Sequence, residues 1–128
     1  MTSELRVDNL KGSTTGGSIN VLGEGTSATT NLQQGLDKMW VFFVGSGTAA
    51  ISDSFNTSGL TDNGTGNYTV NFSNNMSNDD YASAGIGNTM SITSEAVTTS
   101  TINLLSANSS GSLSDVTIMA TSILGDLA

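Results

Sequence analysis

Apolar residues in this chain fall in short alternating groups separated by clusters of Ser, Thr, Asn, Asp and Gly, the spacing of half-buried strands. Residues 67–72, NYTVNF, alternate cleanly, which puts Tyr68, Val70 and Phe72 inward and Thr69 and Asn71 outward. Just before them, Asp62-Asn63-Gly64 predicts a hairpin turning near Asn63–Gly66, because Asn and Gly both tolerate positive φ. Residues 39–44, MWVFFV, are apolar on both faces, with Trp40, Phe42 and Val44 on one and Met39, Val41 and Phe43 on the other. Such a strand is covered on both sides, inside a sandwich or at a subunit contact. Residues 49–55, 81–87, 89–97, 100–106 and 115–124 read as further strands, with Met90 and Ile92 sharing a face. Residues 74–80, NNMSNDD, form a polar loop and residues 108–112, NSSGS, a turn. About eight strands at near-regular spacing predict an all-β fold, an antiparallel β-sandwich of jelly-roll-like type.

One stretch departs from the β pattern. Residues 29–38, TTNLQQGLDK, predict a short helix in which Thr30 caps and Gln33, three residues on, completes a capping box. Leu32 and Leu36 stand at i and i+4 and form a single narrow stripe. Barely two turns long, the helix is too short to stand alone in water, so the stripe requires partners. Residues 3–10, SELRVDNL, alternate weakly, with Leu5 and Val7 on one side; residues 11–17 are a Gly-rich turn, and Ile19 and Val21 share a face in residues 18–22. Residues 1–28 thus read as an extended N-terminal arm, 29–38 as the helix and 39–128 as the β body.

Composition changes the picture in two ways. Only 36% of residues are hydrophobic and 5% aromatic, so the core is thin and favours burial borrowed from neighbouring copies. We therefore expect a homotrimer in which Leu32, Leu36, Met39, Val41 and Phe43 face other copies. The charge is the second constraint: the net is -8, with no His, and the bases are Arg6, Lys11 and Lys38. Every charge after Lys38 is an acid: Asp53, Asp62, Asp79, Asp80, Glu95, Asp115 and Asp126. Nucleic acid needs a cationic footprint and would repel this chain, as would anionic lipid. No run of apolar residues approaches the ~18 of a membrane span, and MTSELRVDNLKG lacks the charged-then-apolar layout of a secretory signal. There is no Cys, hence no disulfide or thiolate chemistry.

Candidate chemistry is sparse. Residues 45–50, GSGTAA, follow an apolar strand and nearly reproduce G-x-G-x-x-A, but a dinucleotide site needs a helix to open there, and ISDSFN is not helical. A Ser or Thr nucleophile has no His as base, and a Ser–Lys pair would have to draw on Lys11 or Lys38. Asp79 and Asp80 are adjacent and point apart on an extended chain, which disfavours a paired-carboxylate glycosidase. Calcium would have oxygens to hand in Asp53, Asp62, Asp79, Asp80 and the Asn carbonyls, but no loop has the spacing of a calcium motif. Triplets such as Asn63-Gly64-Thr65 and Asn67-Tyr68-Thr69 reflect composition rather than glycosylation. No catalytic, metal or cofactor site is expected, and the chain does not read as an enzyme.

Residues 29–43, TTNLQQGLDKMWVFF, followed by residues 53–82, DSFNTSGLTDNGTGNYTVNFSNNMSNDDYA, resemble a module of tail-fibre-like and other virion proteins of marine bacteriophages, including cyanophages. The likeness covers residues 29–128, with residues 114–126, SDVTIMATSILGD, similar to the module's closing strand. It implies a virion component, trimeric and exposed on the particle. Relatives carry the module behind a longer fibre shaft, whereas here residues 1–28 precede it, which fits a small head fibre, a decoration protein or a short tail-attached protein. Most phage surfaces are themselves acidic, so the near-neutral end, residues 1–38 with three bases against Glu4, Asp8, Glu24 and Asp37, is the part suited to docking. Virion attachment is accordingly expected through Leu5, Val7, Ile19 and Val21, which can add strands to a neighbour. The alternative is a receptor-binding tail protein that grips host surface glycan. Either way the location is the virion, after assembly in the host cytoplasm.

Overall fold

The computed structural model describes residues 4–14, 19–22, 29–32, 35–88 and 91–125. The chain divides into two units, Met1–Gly35 and Leu36–Ala128. In the first, residues 4–14 form no regular element, and Arg6 Nε sits 2.6 Å from Glu4 Oε1 on the surface. Beyond them, β1 (Asn20–Leu22) pairs antiparallel with β2 (Thr29–Asn31), and the Leu32 amide donates to the Ile19 carbonyl at 2.8 Å.

The helix expected over residues 29–38 does not form. Residues 29–31 are β2 and residues 37–38 open the next strand, β3 (Asp37–Val44); Gln33 and Gln34 lie outside the described residues. The physical reason is local. A two-turn helix cannot repay its nucleation, Thr29 and Thr30 are β-branched, and Gly35 weakens a helix interior.

The second unit is a β-sandwich. After β3 come β4 (Ala50–Phe55), β5 (Thr57–Gly64), β6 (Asn67–Phe72), β7 (Ala82–Gly87), β8 (Ser91–Val97), β9 (Thr101–Ala107) and β10 (Met119–Leu124). They form two four-stranded antiparallel sheets, β4-β3-β10-β7 and β5-β6-β9-β8. In a jelly roll most successive strands change sheet, whereas here β3–β4, β5–β6 and β8–β9 are hairpins within a sheet. Counted from β5, the second sheet runs first, second, fifth, fourth, and the third and sixth strands, β7 and β10, are neighbours opposite. That is the strand order of an immunoglobulin-type sandwich, with the place beside the sixth strand taken by β3 from the start of the unit. The jelly-roll expectation is corrected accordingly.

The chain passes between sheets at Asn56, among the described residues the one non-glycine with positive φ (55°), a conformation Asn tolerates. Its amide donates to the carbonyls of Lys38 (2.9 Å) and Asn74 (3.1 Å), and its Oδ1 accepts from the Asn74 amide at 2.7 Å. One side chain thus holds the corner between β4 and β5.

Alternation fills the core. Tyr68, Val70 and Phe72 from β6 meet Ile102 and Leu104 from β9 on one side, and Met39, Val41, Phe43, Met119 and Ile123 on the other. The hairpin expectation holds: β5 and β6 are joined through Thr65 and Gly66, with Asn63–Gly64 at a register shift. Replacing Val70 with Ala should cost about 1–3 kcal/mol, and Thr69→Ala, on the outer face, much less. Chemical denaturation compares the two, and equal losses would mean the face is wrong. Met76, inside the stretch read as a polar loop, is also buried in the core. Of the pair expected to share a face in residues 89–97, Ile92 packs against the core, and Met90 lies outside the described residues.

Candidate interaction surface

Directly opposed residues of a sheet share a face, so register defines what each sheet shows outward. In the first sheet, Asp53–Phe42–Ala120–Ile86 and Phe55–Trp40–Ser122–Ala84 make two rows on the outer side. Ala50–Val44 and Leu124–Ala82 flank them. This outer face is nearly as apolar as a core: Ile86 is 74% exposed, Phe55 50% and Phe42 38%, with Asp53 the charge in these rows. A depression of about 320 Å³ lies over Ala84, Ile86, Ala120 and Ser122.

The second sheet shows the opposite chemistry. Its outer side carries Thr61, Thr69 and Asn103 in one row and Gly59, Asn71 and Thr101 in the next. Asn63 Nδ2 donates to Asn67 Oδ1 (3.1 Å) and Thr69 Oγ1 (2.8 Å), and Asn103 Nδ2 donates to the same two oxygens at 2.8 and 3.1 Å. Amides and hydroxyls that satisfy one another in this way suit a face turned to water. Among the described buried side-chain atoms, Asn103 Oδ1 has no partner.

The sheets also differ at their edges. The β4, β5 and β8 edges each carry an acid (Asp53, Asp62, Glu95), and each pairs inward through a register shift. Bulges and charges of this kind blunt an edge against further pairing. By contrast, β7 reads ASAGIG, carries no charge and pairs with β10 in unbroken register. Between β7 and β8 the sandwich opens into a cleft of about 350 Å³ lined by Ser83, Gly85, Ile92, Ser94, Leu104 and Thr121. Beside it, a Cβ on Gly87 would lie 2.8 Å from Ile92 Cδ1, the tip of a side chain that would have to turn aside.

One end of the sandwich is locked by a polar cluster. The buried Tyr68 hydroxyl shares its proton between the Gly45 carbonyl (2.9 Å) and Asp115 Oδ1 (3.0 Å), and the same carboxylate oxygen accepts from the Gly66 amide at 2.8 Å. Phe43 packs edge-on against the Tyr68 ring at 5.3 Å. Burial, then the Asp115 carboxylate, pushes the phenol up to about 12. Below pH ~10 the phenol is neutral in both states; above that the unfolded chain releases the proton first. Stability should therefore fall from pH 10 towards 12, by roughly 3 kcal/mol at most from this group. Denaturation midpoints across that window should drop less in Tyr68→Phe. Tyr81, also raised by burial, contributes a fall of the same sign in both proteins. Parallel curves for the two proteins would refute the assignment.

The residues singled out from sequence are placed as follows. Met39, Val41 and Phe43 lie at 0–1% exposure inside their own sandwich, so they are not available to face neighbouring copies as expected; the outward side of β3 carries Trp40 and Phe42. Leu36 is exposed and Leu32 half-buried. Leu5, Val7 and Val21 are exposed and Ile19 is half-buried. Phe55 and Ile86 are additions that sequence reasoning misses. The alternation Ala82/Ala84/Ile86 is readable, but only the register shows that it extends the Trp40/Phe42 face.

Residues 45–49 form the turn between β3 and β4, and Ala50 opens a strand rather than a helix. Asp79 and Asp80 are exposed in the loop before β7. Among the described residues, no three His, Cys, Asp or Glu side chains gather as metal ligands, and no helix is long and apolar enough to cross a membrane. No family model, curated protein or solved structure matches the chain.

Proposed function

We propose that this protein is a structural component of a bacteriophage virion, a small trimeric fibre or capsid decoration protein held by its N-terminal arm. The observation that carries the reading is the two-sidedness of the sandwich. One sheet presents Phe42, Phe55, Trp40 and Ile86 outward, a surface that calls for cover by protein, while the other presents a hydrogen-bonded Asn/Thr lattice suited to water. Exposed apolar patches of this kind mark assembly surfaces. The acidic body keeps the solvent side soluble and repels nucleic acid and anionic lipid. The trimer buries the outer face of the first sheet together with Leu36, and the partners are further copies and other virion proteins.

Glycan recognition by a tail protein has less support. The polar lattice has no aromatic platform for a sugar ring, since Tyr68 is buried, and Trp40 and Tyr81 are half-buried elsewhere.

Gold-labelled antibody against the protein, applied to intact purified particles, tests the reading. Regular labelling over the head means decoration, and a few labels at the tail mean a fibre. Absence of the protein from purified particles would overturn the proposal.

A further inference from the structure

We infer that Asn63 is a latent self-modification site: its side-chain amide is lost through attack by the Gly64 nitrogen when the β5–β6 hairpin opens, and the native hydrogen bonds hold that reaction off. The inference stands apart from the proposed assembly.

An Asn followed by Gly carries the reagents for its own conversion, and Asn63-Gly64 is the one such pair in the chain. The Gly64 backbone nitrogen gives up its proton and attacks the Asn63 side-chain carbonyl carbon, Cγ. The new N–Cγ bond closes a succinimide ring, the Cγ–Nδ2 bond breaks, and the amide leaves with that proton as ammonia. Water then opens the ring at either carbonyl, giving an aspartate or an isoaspartate whose backbone runs through the former side-chain carbon. Nothing crowds the nucleophile, since a Cβ on Gly64 would meet no atom within 4 Å. Asp62, Asn63 and Gly64 are all exposed, so water reaches the pair and burial gives no protection.

Protection comes from the partners of the reacting groups. Asn63 Nδ2 donates across the hairpin to Asn67 Oδ1 and Thr69 Oγ1 at 3.1 and 2.8 Å, which holds the leaving amide against β6. The Gly64 N–H donates to Asp62 Oδ1 at 2.9 Å, a bond strengthened by the acceptor's charge. A carboxylate is far too weak a base to strip a backbone amide, so Asp62 keeps the proton in place. Gly64 is also fixed opposite Asn67 in the ladder. Attack needs nitrogen and carbon in a near-attack geometry, and the step gives up all of these bonds. Local opening of the hairpin, cheaper than global unfolding, therefore gates the chemistry.

The product then undoes its own protection. A carboxylate has no proton to donate, so Asn67 Oδ1 would face another acceptor. Asn67 can turn its amide over only by giving up the donation from Asn103 at 2.8 Å. The new charge also stands next to Asp62, so a hairpin converted once closes less well and refolding does not reverse it.

Purified full-length protein held in mildly alkaline buffer, folded or in unfolding urea, tests the inference. Peptide mass mapping with isoaspartyl methyltransferase labelling follows conversion at Asn63. The expected rate in the folded protein is slower than in the unfolded chain by about tenfold or more. Thr69→Val keeps the β-branched shape but removes one acceptor, and Asn67→Ala removes the other; each should raise the folded rate severalfold. Urea midpoints measured alongside show that the variants still fold. Should either unfold, the original protein serves alone: its rate should climb with urea below the midpoint. Equal rates in folded and unfolded protein would overturn the inference, as would folded variants that convert no faster than the original.

Discussion

Gly66→Ala should unfold the sandwich or nearly so, with a loss of about 3 kcal/mol or more out of the ~5–15 typical of a domain. Gly66 has φ +64°, and a Cβ there would stand 2.6 Å from the Ser106 carbonyl, 2.7 Å from the Ser114 nitrogen and 2.9 Å from the Ser114 carbonyl. All three are backbone atoms, so no side chain can swing aside. The residue also works as a tie: its carbonyl accepts from the Ser106 amide at 2.8 Å and its amide donates to Asp115. Displacing it therefore disturbs the β5–β6 turn, the end of β9 and the approach to β10 together. Gly47 supplies the control, since it has φ +73° but nothing within 4 Å of where a methyl group would sit. Gly47→Ala should cost only the conformational penalty, about 1 kcal/mol. Urea midpoints separate the two, and equal shifts would mean the crowding at Gly66 is not what holds that end.

Deleting residues 1–22 should leave the sandwich intact and abolish incorporation into particles. Every described residue of the hydrophobic core lies between Met39 and Ile123, and the division into units falls at Gly35. The truncated protein should thus keep its unfolding midpoint within a few degrees. What it loses is the near-neutral segment carrying Leu5, Val7, Ile19 and Val21, through which the proposed attachment would run. Quantitative blotting of purified particles after infection in the presence of tagged protein gives the occupancy. Full occupancy by the truncated protein would show that the body holds the anchor, and an unfolded product would show that the arm belongs to the fold.

The contrast between what is legible in the sequence and what is not follows from the range of each interaction. The β6 face is readable because Tyr68, Val70 and Phe72 alternate within one strand and Asn63-Gly64 announces a reversal beside it. Strand β3 is readable as a strand, but both of its faces are apolar, and periodicity cannot say which one the chain covers itself. The pairing of β3 with β10 decides that, across some eighty residues. The helix fails because Leu32 and Leu36 are only one repeat of a pattern, weaker than the pull of Asp37 and Lys38 into the sheet. Met76 escapes notice because a lone apolar residue among Asn and Ser has no period. The Tyr68–Asp115 contact spans 47 positions and leaves no local trace. As for the candidate surface, Trp40 and Phe42 are visible as a pair, whereas Ile86 joins them only through Ala120 in β10.

The antiparallel pairing of β3 with β10 places Leu124 opposite Asp37, so the body's incoming and outgoing chain meet at one end. The Tyr68–Gly45–Asp115 cluster sits at the other end of β3. Mechanically, tension applied across those two neighbouring ends would peel β3 from β10 one rung at a time, breaking single hydrogen bonds in series instead of shearing all of them at once. Held from the arm side alone, the same body carries no tension through its sheets. Drag on a body held that way would fall on the tether and leave the β3–β10 seam unloaded.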